Sequence, residues 1–252
     1  MTSPASQFWD DIFSQDRAYS RVEFPDDNDP VLTRALLHFG DVNDKTLIDI
    51  GCGRGATSLY FARRGANVIS VDLSEIAITN LRLYCQEHGI NNITPVHAAA
   101  QDISKLARAD FIFGSMILHH IEPFSQFART LRQTLDPNGR AFFWENNARS
   151  KMMIWFRQNI VGKLWVPKYG DDEEFPLTVR EVDELRKCFN VSIENPELLM
   201  FRLVSEYLLR GHLMWPFRML DAAFYHLPMI RKFSYRQYVI LSPAESVDSS
   251  PQ

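Results

Sequence analysis

The stretch from Leu47 to Asp72, LIDIGCGRGATSLYFARRGANVISVD, constrains the fold more than any other part of this 252-residue chain. The apolar run from Thr46 to Ile50 predicts a buried strand that ends at three closely spaced glycines. A helical pattern follows and stops at a basic pair before Gly65, and the run from Ala66 to Val71 predicts a second strand. A strand, a glycine turn, a helix and another strand form one unit of an α/β fold.

The same alternation of strands and helices continues to about residue 146. Ser74 is the predicted cap of the next helix, and Pro123 suits the first turn of a later one. Further strands are predicted at Asn92 to Ala98, Asp110 to Ile117, Arg140 to Trp144 and, near the end of the chain, Tyr235 to Leu241. Repeated strand–helix units predict a Rossmann-like, doubly wound α/β fold with a mostly parallel sheet and helices on both faces.

The glycine turn is the predicted ligand site, because ligands of such sheets bind beyond the carboxyl ends of the strands. Gly51, Gly53 and Gly55 permit a sharp turn and a close approach of backbone N–H groups to a ligand. Asp72 ends the second strand, where a carboxylate accepts hydrogen bonds from ribose hydroxyls. These residues together predict a nucleoside cofactor.

Two classes of nucleoside cofactor compete for this turn. Gly51, Gly53 and Ala56 match the dinucleotide pattern G-x-G-x-x-G/A, which makes a Rossmann-type NAD(P)-dependent oxidoreductase one hypothesis. Asp49 argues against it, because a carboxylate two residues before the first glycine would repel a pyrophosphate. The same carboxylate suits a cationic amine.

Four segments in order, LIDIGCGRG, VISVDLS, ADFIFGSMILHHIEP and LRQTLDPNGRAFF, resemble the motifs of class I S-adenosylmethionine-dependent methyltransferases. The resemblance covers about residues 45–146 and implies S-adenosylmethionine as the cofactor. It also implies a seven-stranded sheet whose last strand is antiparallel. The implied cofactor residues are Gly51 and Gly53 for the methionine part, Asp49 for its amino group, Asp72 for the ribose and Leu73 for the adenine.

The adenine contacts depart from the family pattern. The family usually has an acid after the third strand, and this chain has Ala99 at the corresponding position. The backbone N–H of Ala100 and the side chain of Gln101 or Asp102 are the expected replacements. The missing acid also leaves open a non-catalytic binding module that keeps the cofactor fold.

Methyl transfer needs in-line alignment and exclusion of water, and it needs a base only where the acceptor must lose a proton. The fourth strand leads into SMILHHIE, where Ser115 is expected to line the methionine and sulfur region of the cofactor. His119 and His120 are the candidate bases, because histidine titrates in the right range. Glu145, after the fifth strand, is the candidate for binding the acceptor. Loop packing and a strand-end turn are the competing interpretations of these three residues.

The bulk composition excludes several classes of function. The formal net charge of −4, and the absence of an (N/D)PPY tetrapeptide after the fourth strand, disfavour nucleic acid as a partner. Three scattered cysteines without a Cys/His cluster predict no disulfide framework and no metal site. A cytoplasmic protein is expected, since the first residues do not resemble a signal peptide and no apolar run is long enough to span a membrane.

Two insertions, residues 149–168 and 201–236, interleave basic residues with large apolar ones. They predict a lid or cap over a bulky apolar acceptor, a surface that contacts a membrane, or simple packing on the core. The expected acceptor is a hydroxyl of a small hydrophobic or lipid-linked molecule, with carbon and nitrogen acceptors open. The predicted divisions are an N-terminal helical cover (1–40), a cofactor-binding core (41–146), core completion with a helical cap (147–234), a final strand (235–243) and a disordered tail (244–252).

Overall fold

The computed structural model describes residues 4–15, 22, 26–151, 154–155, 159 and 176–244. Most of the predicted basic and apolar insertion at 149–168, and the predicted tail beyond residue 244, lie outside the described residues. No helix within these ranges combines the length and the apolar character needed to cross a membrane.

The described residues form a seven-stranded sheet in the order β3-β2-β1-β4-β5-β7-β6. The strands are β1 (Thr46–Ile50), β2 (Asn67–Asp72), β3 (Ile93–His97), β4 (Ala109–Ser115), β5 (Leu135–Asn146), β6 (Phe189–Glu194) and β7 (Arg236–Pro243). Strands β1 to β5 pair in parallel, and β7 pairs antiparallel with both β5 and β6. The predicted fold class, with its antiparallel last strand, is confirmed. The strand order reverses between β1 and β4, which is where a ligand site is expected.

Helices cover both faces of this sheet, and further helices pack outside it. The described helices are α1 (Pro4–Gln15), α2 (Pro30–Phe39), α3 (Ala56–Ala62), α4 (Glu75–Glu87), α5 (Phe124–Thr134), α6 (Val179–Arg186), α7 (Met200–Leu208), α8 (Met214–Tyr225) and α9 (Pro228–Arg231). Leu47 and Phe113 pack in one apolar core with α2, α3 and α4, whereas their neighbours Ile48 and Ile112 pack in a second core with α5 and α6. Successive strand residues point to opposite faces, so strands covered on both sides are apolar throughout.

Side-chain caps fix where two of the helices begin. The Asp29 carboxylate accepts hydrogen bonds from Val31 N and Leu32 N at the start of α2, next to Pro30 in the first helical position. The Ser74 hydroxyl accepts a hydrogen bond from Ala77 N at 3.2 Å, which confirms the predicted cap of α4. The second cap also fixes the turn between β2 and α4, at the edge of the site.

The structure departs from the sequence prediction at two strands. β5 begins at Leu135 rather than Arg140, and its pairing with β4 has an irregularity that takes up the predicted turn at 136–139. β6 was not predicted. Three of its six residues, FNVSIE, are half-buried and two are exposed, and it pairs with β7 alone at the edge of the sheet.

Candidate active site

A cavity of about 660 Å³ opens at the carboxyl ends of the parallel strands. The glycine turn and the ends of β2, β3 and β4 form its base, and α1 forms one wall. The lining residues are Ala5, Phe8, Trp9, Phe13, Ile50, Gly51, Gly53, Val71, Asp72, Leu73, Ala98–Gln101, Ser115–Ile117 and His119–Glu122. Of the predicted site residues, this set includes Gly51, Gly53, Asp72, Leu73, Ala100, Gln101, Ser115, His119 and His120.

The glycine turn lies at the junction of β1 and β2. Gly51 has a φ of +69°, and a Cβ there would lie 2.9 Å from Ile117 Cδ1, so the position excludes a larger residue. Gly51 N and Cys52 N both donate to Val71 O, at 2.8 and 3.1 Å. These bonds hold the turn against the end of β2, beside Asp72.

The Asp72 carboxylate braces two turns at once. Its Oδ2 accepts a hydrogen bond from Gly53 N at 2.8 Å, and its Oδ1 accepts one from Ser74 N at 2.9 Å. Burial raises the pKa of Asp72, although the hydrogen bonds from the backbone oppose that rise. The side chain still lines the cavity and is 9% exposed, so it can accept hydrogen bonds from a bound ligand.

Asp49 lies beneath the turn and is not among the described residues that line the cavity. Its Oδ2 accepts a hydrogen bond from Ser58 Oγ at 2.6 Å, and Ser58 Oγ accepts one from Ser70 Oγ at 2.7 Å. Burial raises the pKa of Asp49 from 3.8 to about 7, while the hydrogen bond from Ser58 opposes the rise. The structure therefore places this acid in a buried polar chain that joins β1, α3 and β2.

The two side chains expected to replace the missing adenine acid have different surroundings. Gln101 lines the cavity, and its Nε2 donates to Glu122 O at 2.8 Å, which leaves its Oε1 as an acceptor. Asp102 forms an exposed ion pair with Lys105 at 2.5 Å and is not among the described lining residues. Only the Gln101 side chain is placed to contact a ligand.

Glu145 and His119 form a buried pair beside the cavity, which His119 lines. Glu145 Oε1 accepts hydrogen bonds from Ile117 N and Leu118 N at 2.8 and 2.7 Å, and Oε2 lies 2.7 Å from His119 Nδ1. Because a carboxylate only accepts, His119 Nδ1 is the donor in this contact, and in the neutral tautomer with hydrogen on Nδ1 the Nε2 atom can accept a proton. Glu145 was expected to bind the acceptor directly. The structure instead places it fully buried behind His119, outside the described lining of the cavity.

His120 has an aromatic environment instead. Its ring centroid lies 4.2 Å from that of His119 and 5.4 Å from that of Trp9, which meets it edge-on. His120 therefore lies between the wall formed by α1 and the His119–Glu145 pair. The geometry separates the two histidines, which the sequence alone had left equivalent.

Sequence reasoning missed Ser6, Asp10, Ser58 and Ser70. Ser58 and Ser70 approach Asp49 only when α3 and β2 fold against β1, at sequence separations that carry no motif. Ser6 and Asp10 had a usable signal, because they are polar residues four apart in a helix whose neighbouring face is aromatic.

Comparison with known proteins agrees with this geometry. The family model described as a methyltransferase domain matches residues 25–188. The ubiquinone biosynthesis O-methyltransferase of Rickettsia typhi is 26% identical over 176 residues, which cover 69% of this chain and 70% of that protein. The corresponding Rickettsia prowazekii protein is 24% identical over 178 residues and 69% of each chain.

Two solved structures share the fold at low sequence identity. The N-methyltransferase NodS from Bradyrhizobium japonicum, in complex with S-adenosyl-L-homocysteine, superposes with a TM-score of 0.60 at 12% identity, over 96% of this chain and 100% of that one. A SAM dependent methyltransferase from Aquifex aeolicus superposes with a TM-score of 0.53 at 14% identity, over 84% and 89%.

The cavity lies where the strand order reverses between β1 and β4, and an acid holds the glycine turn at its base. In a Rossmann-like sheet, this arrangement defines a nucleoside-dependent enzyme. This chain belongs to the methyltransferase domain family, and its cofactor is S-adenosylmethionine. The comparisons give no support to the NAD(P)-dependent oxidoreductase hypothesis.

Proposed function

We propose that this methyltransferase methylates a hydroxyl group of a small hydrophobic acceptor, with His119 as the general base and Glu145 as the residue that orients it. The observation that carries the proposal is the 2.7 Å contact between Glu145 Oε2 and His119 Nδ1 at the cavity. The names of the Rickettsia relatives support a hydroxyl acceptor, because both are O-methyltransferases.

The lining residues suggest how the cofactor lies in the cavity. Gly51, Gly53 and Ser115 line the part proposed to hold the methionine portion, and Asp72 is the proposed ribose ligand. At the adenine end, the proposed contacts are Leu73, the Ala100 N–H and the Gln101 Oε1. Asp49 acts on the cofactor amino group only from beneath the turn, by its charge or through water.

The proposed chemistry assigns each protein group one task. The bound cofactor supplies an electrophilic methyl group on a sulfonium. His119 Nε2 takes the acceptor proton as the oxygen attacks, and Glu145 stabilises the imidazolium that forms. Trp9 and His120 exclude water from the acceptor end of the cavity.

The test is methyl transfer to a panel of alkyl-substituted phenols and catechols, measured as release of S-adenosylhomocysteine. His119→Ala is expected to lower kcat by about 100-fold or more, because positioned acid–base groups contribute roughly 10² to 10⁴. Calorimetric affinity for S-adenosylhomocysteine should change far less. His88→Ala, in an exposed histidine after α4, is the matched control. If His119→Ala kept the wild-type kcat, His119 would not be the general base. If only amines were methylated, the acceptor would not be a hydroxyl.

We propose the described part of residues 1–40 as the cover of the site and the helices within 147–234 as its cap. The cap carries an apolar and basic surface, which supports membrane contact during capture of a hydrophobic acceptor. Trp215 and Met229 are 74% and 75% exposed, and their flanking cations include Arg218 and Lys232. This composition matches helices that lie in a membrane interface.

Flotation with vesicles of phosphatidylcholine, with and without phosphatidylserine, tests the membrane contact. The wild-type chain should float with the anionic vesicles at low salt and be released at high salt. Trp215→Ser combined with Met229→Ser should abolish flotation, whereas Leu37→Ser, at an equally exposed apolar residue on α2, should not. Equal flotation of the two variants would overturn this surface as the docking face.

A further inference from the structure

The polar face of α1 is attached to the turn that carries the ribose carboxylate. Asp10 Oδ1 accepts hydrogen bonds from Ser74 Oγ at 2.6 Å and from Ile76 N at 3.2 Å. Ser6 Oγ donates to Leu73 O at 3.0 Å, one turn earlier along α1. Asp10 thus supplies a carboxylate to the N-terminal turn of the 13-residue helix α4, where a negative charge is stabilised.

The same turn holds Asp72, which accepts a hydrogen bond from Ser74 N. Ser74 therefore contacts Asp10 through its hydroxyl and Asp72 through its backbone. Any ligand that orders this turn by binding Asp72 also orders the groups that hold α1. Ser74 is thus the one residue of these contacts that also binds the Asp72 carboxylate.

The apolar face of α1 spans the cavity. Phe13 lies next to the glycine turn, where a Cβ on Gly53 would be 3.4 Å from its ring, and Trp9 meets the His120 ring. Phe8 and Ala5 complete the wall. With α1 detached, the cavity would lose this wall and His120 its aromatic neighbour.

We propose that Asp10 is a positioning residue that latches α1 over the cofactor cavity and thereby sets how long the cofactor or its demethylated product stays bound. The latch also brings Trp9 to His120, so the acceptor end is complete only while the cofactor end is closed. This inference rests on the cofactor class and not on the proposed acceptor.

The first measurement is the dissociation rate of S-adenosylhomocysteine from the full chain, followed by surface plasmon resonance. Asp10→Ala should speed dissociation about tenfold, since a lost capping carboxylate costs of the order of one factor of ten in equilibrium. Asp11→Ala, at the exposed next residue of α1, should leave the rate unchanged. Asp10→Asn should restore most of the wild-type rate, because both hydrogen bonds use one oxygen that asparagine keeps.

The second measurement is hydrogen exchange of the α1 amides by mass spectrometry. Bound S-adenosylhomocysteine should slow exchange in the wild type and in Asp11→Ala, and much less in Asp10→Ala. Ser6→Ala, which removes the hydrogen bond to Leu73 O, should shift both readouts in the same direction by a smaller amount, and it replaces Asp10→Ala if that variant unfolds. Equal dissociation from Asp10→Ala and Asp11→Ala, no rescue by Asp10→Asn, or α1 exchange that ignores the ligand would each overturn the latch. If both measurements support the latch but no phenol is methylated, the proposed hydroxyl acceptor is wrong and the latch still stands.

Discussion

The wild-type chain is expected to lose folding stability as pH rises from about 4 to about 7. Asp49→Asn should remove much of this loss. Burial raises the pKa of this carboxyl from 3.8 to about 7, so the folded chain keeps a proton that the unfolded chain has already lost. The free energy of unfolding falls with rising pH wherever the folded state binds more protons. The contribution of Asp49 is therefore complete at low pH and is lost by about pH 7.

The magnitude follows from the difference between the two pKa values. A difference of about three pH units corresponds to at most about 4 kcal/mol, at roughly 1.4 kcal/mol per unit. The asparagine amide stays neutral and can still accept the Ser58 hydrogen bond. The variant should accordingly gain about 2 to 4 kcal/mol relative to the wild type between pH 4 and pH 7.

Urea unfolding at a series of pH values, followed by tryptophan fluorescence, measures this difference in the chain without ligand. Glu87→Gln, an exposed carboxylate at the end of α4, is the control for removing one negative charge. Parallel stability profiles for Asp49→Asn and the wild type would show that Asp49 ionises normally, and the explanation from burial would then be wrong.

Three further substitutions test other parts of the structure. Glu145→Gln should lower kcat by about 100-fold while S-adenosylhomocysteine still binds, because the amide donates to His119 Nδ1 and moves the imidazole hydrogen to Nε2; an unchanged pH–rate profile would contradict this. Asp221→Ala should speed amide exchange in α7 and cost about 1 to 2 kcal/mol, since the Asp221 carboxylate accepts three backbone hydrogen bonds at the start of that helix; exchange as slow as in the wild type would refute it. Gly55→Ala should destabilise by about 1 to 3 kcal/mol in chemical denaturation, because φ is +75° and a Cβ there would overlap the Leu81 side chain; a neutral substitution would show that the turn relaxes.

The centre of the fold was predictable because its signals are local. β1 was predicted at the residues where it occurs, since a continuous apolar run that ends at glycines has few other interpretations. The cap at Ser74 and the helical turn after the glycines depend on neighbours within four residues. β6 depends instead on pairing with β7, more than 40 residues later, so its own sequence carried little signal.

The candidate site divides in the same way. Gly51, Gly53 and Asp72 were predictable from spacing, because the turn and the strand end that bear them are contiguous in the chain. The roles of Asp49 and Glu145 were not, since each is defined by a partner across the fold: Ser58 for one and His119 for the other. Most of the predicted site residues line the cavity, and the sequence could not tell them from Asp49, Asp102 and Glu145, which do not line it.

The position of β7 between β5 and β6 has a consequence for biosynthesis. The ribosome makes residues 236–243 after every other described strand, yet these residues form the strand that joins β6 to the rest of the sheet. A nascent chain arrested before residue 236 would expose one bare edge on β5 and leave β6 with nothing to pair with. Such a chain should stay bound to chaperones until β7 emerges from the ribosome. A chain whose last strand is added at the outer edge of a finished sheet would not need this.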